Sequence, residues 1–310
     1  MNKINPDHFK FHNLLAEGNI LCNTKSVTPE SVILELCRLI QRNIPGYDAE
    51  TVFKEVMLRE KIMPTVVAKG LAIPHARVSS SDNLIIAMAT SREGIVFENG
   101  KDPVHAVIVM LTPPDDPGLH LQVLAGLAKD FASNPKLVTD LANAQHPGEV
   151  IGCFTKNETA IPEFLRACDV MERGTVTLRE NHTLKEAIEA FATSKINEFP
   201  VLDDEQELRG ILSLKDLLKY GLPEHILWLD DLSSVYRFQP FSEVLQTADE
   251  TKVADIMQEE FVSVREDIPA VQLAKLFLTK DIQKLMVINE QGKFAGVVDL
   301  RNFASRLFWE

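Results

Sequence analysis

A histidine held directly behind a proline is the residue in this chain best placed for covalent chemistry. In the run from Arg59 to Ala76, His75 follows Pro74 and precedes Ala76. Proline fixes its own φ, so the imidazole is expected on a stiff, extended and exposed backbone. Ala76 is small and leaves space beside the ring for another protein's surface. A neutral imidazole nitrogen is a good nucleophile near pH 7, which makes His75 a candidate phosphoryl acceptor. The product would carry about two negative charges and needs cations or donors around it. Arg59, Lys69 and a second histidine are available for that. A Pro-His pair taken alone is most often just a loop, so the weight rests on the run around it.

The elements that must position these residues are legible as patterns. Thr28-Pro29 supplies a cap and a proline at the first helical position, and Ile33, Leu36, Cys37 and Ile40 follow as one apolar stripe. Asp48 is placed to cap a helix carrying Val52, Phe53, Val56 and Met57. The apolar runs 84–90 and 104–111 read as buried strands. Leu121, Leu124, Ala128 and Phe131 form another helical stripe, and Asn134-Pro135 and His146-Pro147 open two more helices. Strands alternating with helices predict an α/β domain over 1–158, followed by a polar linker, Lys156–Pro162. His105 begins a buried strand and is read as structural.

Composition removes several function classes. Lys+Arg total 32 against 45 Asp+Glu, a net charge of −13, which argues against a broad nucleic-acid or anionic-membrane surface. No apolar run approaches the roughly 18–20 residues of a membrane span, and no apolar signal region opens the sequence. The cysteines, Cys22, Cys37, Cys153 and Cys168, form no CxxC pair and read as reduced thiols of a cytoplasmic protein. The histidines show no paired ligand spacing, so no metal is expected.

From Glu60 to Ala76 the run resembles the signature of the fructose/mannitol-type enzyme IIA domain of the bacterial sugar phosphotransferase system. The elements are an acidic residue, six free positions, aliphatic-small, two free positions, then aliphatic-Ala-aliphatic-Pro-His-small. The resemblance covers about residues 12–155, especially to nitrogen-branch enzyme IIA proteins, and implies a mixed sheet flanked by helices. It implies that the carrier HPr phosphorylates His75. Arg59 would then steady the phosphoryl group and His120, before Leu121-Gln122-Val123-Leu124, would lie beside the first ring. The sequence departs from the family at Val66, where glycine is usual after Thr65.

The second half contains a repeat. At an offset of 86, residues 169–216 align without a gap on 255–302, with eleven of 48 positions identical. Each copy reads as strand, helix, two strands, helix (βαββα). The repeats resemble a tandem CBS (cystathionine β-synthase) pair, over 163–222 and 253–310, with an inserted segment 223–252 that carries Trp228 and two helical-looking pieces. Such pairs commonly bind adenine nucleotides (AMP, ADP or ATP) and often dimerise. Ser213 and Asp216 sit where a strand becomes a helix; the hydroxyl and helix N-terminus suit phosphate, and the carboxylate suits ribose hydroxyls. Ser213 as a plain helix cap is the alternative. The resemblance implies an adenine wall of Thr175, Val176, Phe199 and Pro200. In the second copy Asp299 and Asn302 replace the pair, and a carboxylate there repels phosphate.

Two functions follow as expectations. One is a phosphohistidine carrier passing phosphate from HPr to an enzyme IIB, modulated by a nucleotide on the CBS pair. The other is a regulatory protein that reports phosphotransferase state by binding a target, with no phosphate passed on.

Overall fold

The computed structural model describes residues 10–44, 46–62, 64–78, 84–97, 102–113, 117–222, 228 and 239–308. The chain divides into two compact units, Met1–Leu165 with Ala304–Glu310, and Arg166–Phe303. Each is described on its own below.

In the first unit the order is β1 (Ile20–Leu21), α1 (Pro29–Asn43), α2 (Ala49–Ile62), β2 (Val66–Ala68), β3 (Leu71–Ala72), β4 (His75–Arg77), β5 (Ile85–Ile95), β6 (Val104–Thr112), α3 (Pro117–Ser133), α4 (Pro135–Asn143) and α5 (Pro147–Lys156). The Thr28 side chain accepts from Ser31 N in a capping box at α1, and Asp48 accepts from Thr51 N in the first turn of α2. The sheet runs β1-β5-β6-β3-β2, with β4 also paired to β6. Strands β5 and β6 are antiparallel, whereas β3 and β4 both run parallel to β6.

Both faces of this sheet are covered, which is why β5 and β6 read as continuous apolar runs. Ala87, Val107, Val109 and Leu111 pack with Val32, Ile33, Leu36, Val52 and Val56 of α1 and α2. The alternate residues Ile86, Met88, Ile108 and Met110 pack with Val123, Leu127, Leu137, Val150 and Phe154 of α3, α4 and α5. The segment expected as a linker is instead part of this unit. Phe11 N donates to Thr159 O at 2.9 Å, and Ile161 is buried in the core.

The second unit holds α6 (Ala167–Val170), β7 (Leu178–Arg179), α7 (Leu184–Thr193), β8 (Glu198–Leu202), β9 (Leu208–Ser213), α8 (Leu214–Gly221), α9 (Gln239–Thr247), β10 (Ser263–Arg265), α10 (Ala270–Lys280), β11 (Lys284–Ile288), β12 (Phe294–Asp299) and α11 (Leu300–Phe308), the last continuing past Phe303. The sheets β7-β8-β9 and β10-β11-β12 each pair one parallel and one antiparallel neighbour. Of the inserted segment, 223–227 and 229–238 lie outside the described residues; α9 is the helical piece among the described ones.

The offset of 86 is also a structural symmetry. Glu172 bridges Val297 and Ile211 bridges Gln258; Arg166 bridges Pro269 and Thr183 bridges Lys252. Each pair maps onto its companion when 86 is added and the partners exchange. Glu207 bridges Lys293, a pair that maps onto itself and marks the pseudo-twofold axis. Gly210 and Gly296 stand where the segment leading into the opposite repeat crosses the sheet. A Cβ on Gly210 would lie 2.7 Å from Gln258 O and 2.8 Å from Met257 Sδ. Gly210→Ala is therefore expected to destabilise this unit by about 1–3 kcal/mol, the usual cost of overpacking. Chemical denaturation of the full chain checks it, and an unchanged midpoint would refute the close-approach reading.

Candidate functional site

His75 starts β4, opposite Met110 of β6, with Ala76 opposite Leu111 and Arg77 opposite Thr112. Period-two alternation puts His75 and Arg77 on the α3 face of the sheet and Ala76 on the α2 face. Ala76 is buried within the cluster formed with α1 and α2. Its small size serves helix packing, not the approach of another protein as the sequence suggested.

The expectation of an exposed His75 is also overturned. Its side chain sits beneath the surface at 5% exposure, and that of His120 at 1%. His105, expected to be the more buried, is only partly so, with Nδ1 against Ser91 O at 2.9 Å. The Pro-His pair does fix an extended backbone, but the packing of α3 over that face decides accessibility.

His120 lies in the first turn of α3, and its ring is 5.7 Å from that of His75, at 31°. His75 Nδ1 is 2.9 Å from Ile73 O. A carbonyl only accepts, so Nδ1 carries the ring proton and the lone pair is left on Nε2. That Nε2 is buried with no hydrogen-bond partner among the described residues, as are both nitrogens of His120. Burial pushes the His75 imidazole down to about 4, with the Ile73 carbonyl opposing and the Arg59 and Arg77 charges assisting. Burial, then His75, Arg77 and Arg59, push His120 down to about 3. Both rings are neutral at pH 7. The N-terminal end of the α3 dipole reinforces this, since it disfavours a cationic ring and favours an anion.

Two arginines thus act electrostatically on this pair. Arg59, in the last turn of α2, was legible from the motif. Arg77 was missed; its signal is its place two residues after His75 in a strand, hence on the same face. Lys69, the other cation considered, is exposed and pairs with Asp102 at 3.7 Å. A buried, nucleophilic nitrogen, a second neutral ring able to donate, and two guanidinium charges form a site suited to holding a phosphoryl group.

Residues 13–157 match the profile described as "Phosphoenolpyruvate-dependent sugar phosphotransferase system, EIIA 2". A nitrogen regulatory protein of Pseudomonas aeruginosa is 30% identical over 121 residues, covering 38% of this chain and 78% of that protein. The chain belongs to the EIIA 2 family. Residues 167–222 and 253–308 match the CBS domain profile, so the EIIA domain is joined to a CBS pair. Among solved structures, the nitrogen regulatory protein IIA-Ntr of Neisseria meningitidis is 26% identical and covers 46% of this chain and 97% of that one, with a TM-score of 0.43. The structure of CBSX2 in complex with AMP is 23% identical and covers 45% and 93%, with a TM-score of 0.35.

In the CBS pair, Ser213 caps α8. Its Oγ accepts from Asp216 N at 3.3 Å, and Asp216 Oδ2 accepts from Ser213 N at 2.8 Å. Asp216 Oδ1 accepts from Gln258 Nε2, and the residue is buried. The mate of that contact across the pseudo-axis joins Asn302 Nδ2 to Glu172 Oε1. Asp299 Oδ1 accepts from Arg301 N at 2.9 Å and Asn302 N at 3.2 Å, capping α11. Of the expected adenine wall, Val176 is half exposed. Phe199 is not on an open surface: it is fully buried in the core of its repeat, its ring 4.6 Å from that of Phe191. Alternation along β8 sends Pro200, also buried, to the other face. A charged cluster sits near the axis. Glu198, its carboxyl pushed up by burial, feels Lys284, Asp216 and Asp299, and Lys284 Nζ donates to Glu198 O at 3.2 Å. Among the described residues no group of His, Cys, Asp and Glu is arranged to hold a metal, and no helix is long and apolar enough to cross a membrane.

Proposed function

We propose that the EIIA domain is a phosphoryl carrier in which His75 Nε2 accepts the phosphoryl group of phosphorylated HPr. The observation that carries this reading is the bond from His75 Nδ1 to Ile73 O, which leaves a lone pair on a buried, neutral ring. In the transfer the Nε2 lone pair forms the new N–P bond. The bond from phosphorus to the donor breaks, and its electron pair leaves with the donor. No proton need leave His75, because Nε2 carries none. His120 donates one N–H to the phosphoryl oxygens, and Arg59 and Arg77 oppose the negative charge that arrives.

Losing one transition-state donor typically costs about 2.7–4 kcal/mol, so Arg59→Ala is expected to slow phosphorylation about a hundredfold or more. Single-turnover phosphorylation by phospho-HPr measures it; a rate within about threefold of wild type would remove Arg59 from the site.

The regulatory reading is the second. It is supported by the likeness to a nitrogen regulatory protein, whose name describes regulation. In that reading the phosphorylation state of His75 alters contact with a target, and no enzyme IIB cysteine receives the group.

We also infer that the CBS pair binds one adenine nucleotide per chain, at Ser213 and Asp216. Asp216 is held by Gln258, so ribose hydroxyls must displace that amide to reach the carboxylate. The second copy offers Asp299 to a phosphate instead of a hydroxyl. Asp216→Ala removes hydrogen bonds worth about 1.5–3 kcal/mol each and is expected to weaken binding tenfold or more. Asn302→Ala is expected to change little. Titration calorimetry of the full chain with AMP, ADP and ATP decides it; no heat, or two equivalent sites, overturns the assignment.

A further inference from the structure

An uninterrupted set of hydrogen bonds joins the end of α2 to the His75 ring. Thr65 N donates to Glu60 Oε1 at 3.2 Å, and the Thr65 hydroxyl donates to Glu60 Oε2. Ile73 N donates to Thr65 O at 2.9 Å, closing the base of the β2–β3 hairpin. Ile73 O in turn receives the proton on His75 Nδ1. Every bond runs the same way, donor toward acceptor, and the last acceptor is a carboxylate. The links between these bonds are the covalent backbones of Thr65 and Ile73, so a shift at Glu60 is passed on as a shift in position. Thr65 and Ile73 are buried along with His75, so water does not stand in for a lost link. Glu60 is itself partly buried, and burial raises its carboxyl against the two Thr65 bonds and the Arg59 charge.

We propose that Glu60 is the positioning residue for His75. Through Thr65 and the Ile73 backbone it holds the carbonyl that keeps the ring proton on Nδ1 and the lone pair on Nε2. In this role Glu60 acts by fixing the hairpin base. Removing the carboxylate leaves two buried Thr65 donors without an acceptor, so the base must shift to satisfy them. The Ile73 carbonyl moves with it and the ring loses its reason to prefer one tautomer. Where Nε2 becomes the protonated nitrogen, the nucleophile is gone. The inference rests on the proposed role of His75 as acceptor, and the tautomer can be read without it.

The test uses the full chain with 15N-labelled histidine. Two-bond 1H–15N spectra at neutral pH report which His75 nitrogen is bare. Wild type is expected to show a protonated Nδ1 and a bare Nε2. Glu60→Ala is expected to add the opposite tautomer and to slow phosphorylation by phospho-HPr about tenfold or more, the usual cost of losing a group that orients a reactive ring, with KM for phospho-HPr unchanged. Glu60→Gln keeps an acceptor for Thr65 N and a donor for its hydroxyl oxygen, and is expected to behave like wild type. Wild-type tautomer and rate in Glu60→Ala would overturn the proposal, as would Glu60→Gln failing equally. If Glu60→Ala does not fold, Thr65→Val, which removes one of the two donors, must show the same change in smaller measure. If wild type takes no phosphate, the carrier reading falls and the spectra alone judge the role of Glu60.

Discussion

Replacing His75 with Ala is expected to abolish phosphate uptake from phospho-HPr. The other rings do not substitute for it. His120 is neutral and 5.7 Å away, but both its nitrogens lack a fixing partner among the described residues, so no backbone group selects a bare nitrogen for attack. His105 is tied through Nδ1 to Ser91 O, near the start of β6 and five residues before the Met110 that stands opposite His75. The loss is thus one of chemistry and not of affinity, and raising the donor concentration is not expected to restore uptake. A His120→Ala variant retains the nucleophile and is expected to be slowed, not silenced. Full labelling of the His75→Ala variant would refute the assignment.

Acidification is expected to loosen the EIIA domain before the CBS pair. An unfolded histidine titrates near 6.5, whereas burial holds His75 at about 4 and His120 at about 3. Between these values the unfolded chain takes up protons that the folded one refuses. Stability is therefore full above about pH 6.5 and falls as pH drops toward 4 and then 3. Each ring is expected to cost about 2 kcal/mol between pH 7 and pH 5. Glu60 works in the opposite direction, since its raised carboxyl favours the folded state as pH falls. Comparing wild type with a His75→Gln, His120→Gln variant separates the histidine part. Hydrogen exchange in peptides spanning β4 and β6, corrected for the intrinsic pH effect, is expected to show faster opening at pH 5 in wild type and little change in the variant. Equal protection at both pH values in wild type would contradict the burial argument.

Most of the fold is legible in the sequence because its signals are local. Thr28-Pro29, Asn134-Pro135 and His146-Pro147 open helices for reasons carried by two residues. The repeat is visible because both copies meet the same crossing segment, which demands glycine at 210 and 296. The site is legible only in part. Arg59, His75 and His120 stand out through a spaced motif, but what covers His75 depends on α3, more than forty residues later in the chain. Arg77 stayed hidden because its role follows from strand alternation in β4, which a three-residue strand does not advertise. Phe199 enters the expected adenine wall on the resemblance alone; its burial in the repeat's core follows from the pairing of β8 with β9, which no local signal shows.

The account turns on one atom, His75 Nε2, and one measurement addresses it directly. The full chain is incubated with phosphoenolpyruvate, enzyme I and HPr, and the acid-labile phosphate is located by mass spectrometry and by 31P–15N coupling. The account predicts one phosphoryl group per chain, on the peptide that holds Pro74-His75-Ala76 and bonded to Nε2. Absence of label, label on His120, or a bond to Nδ1 would contradict it.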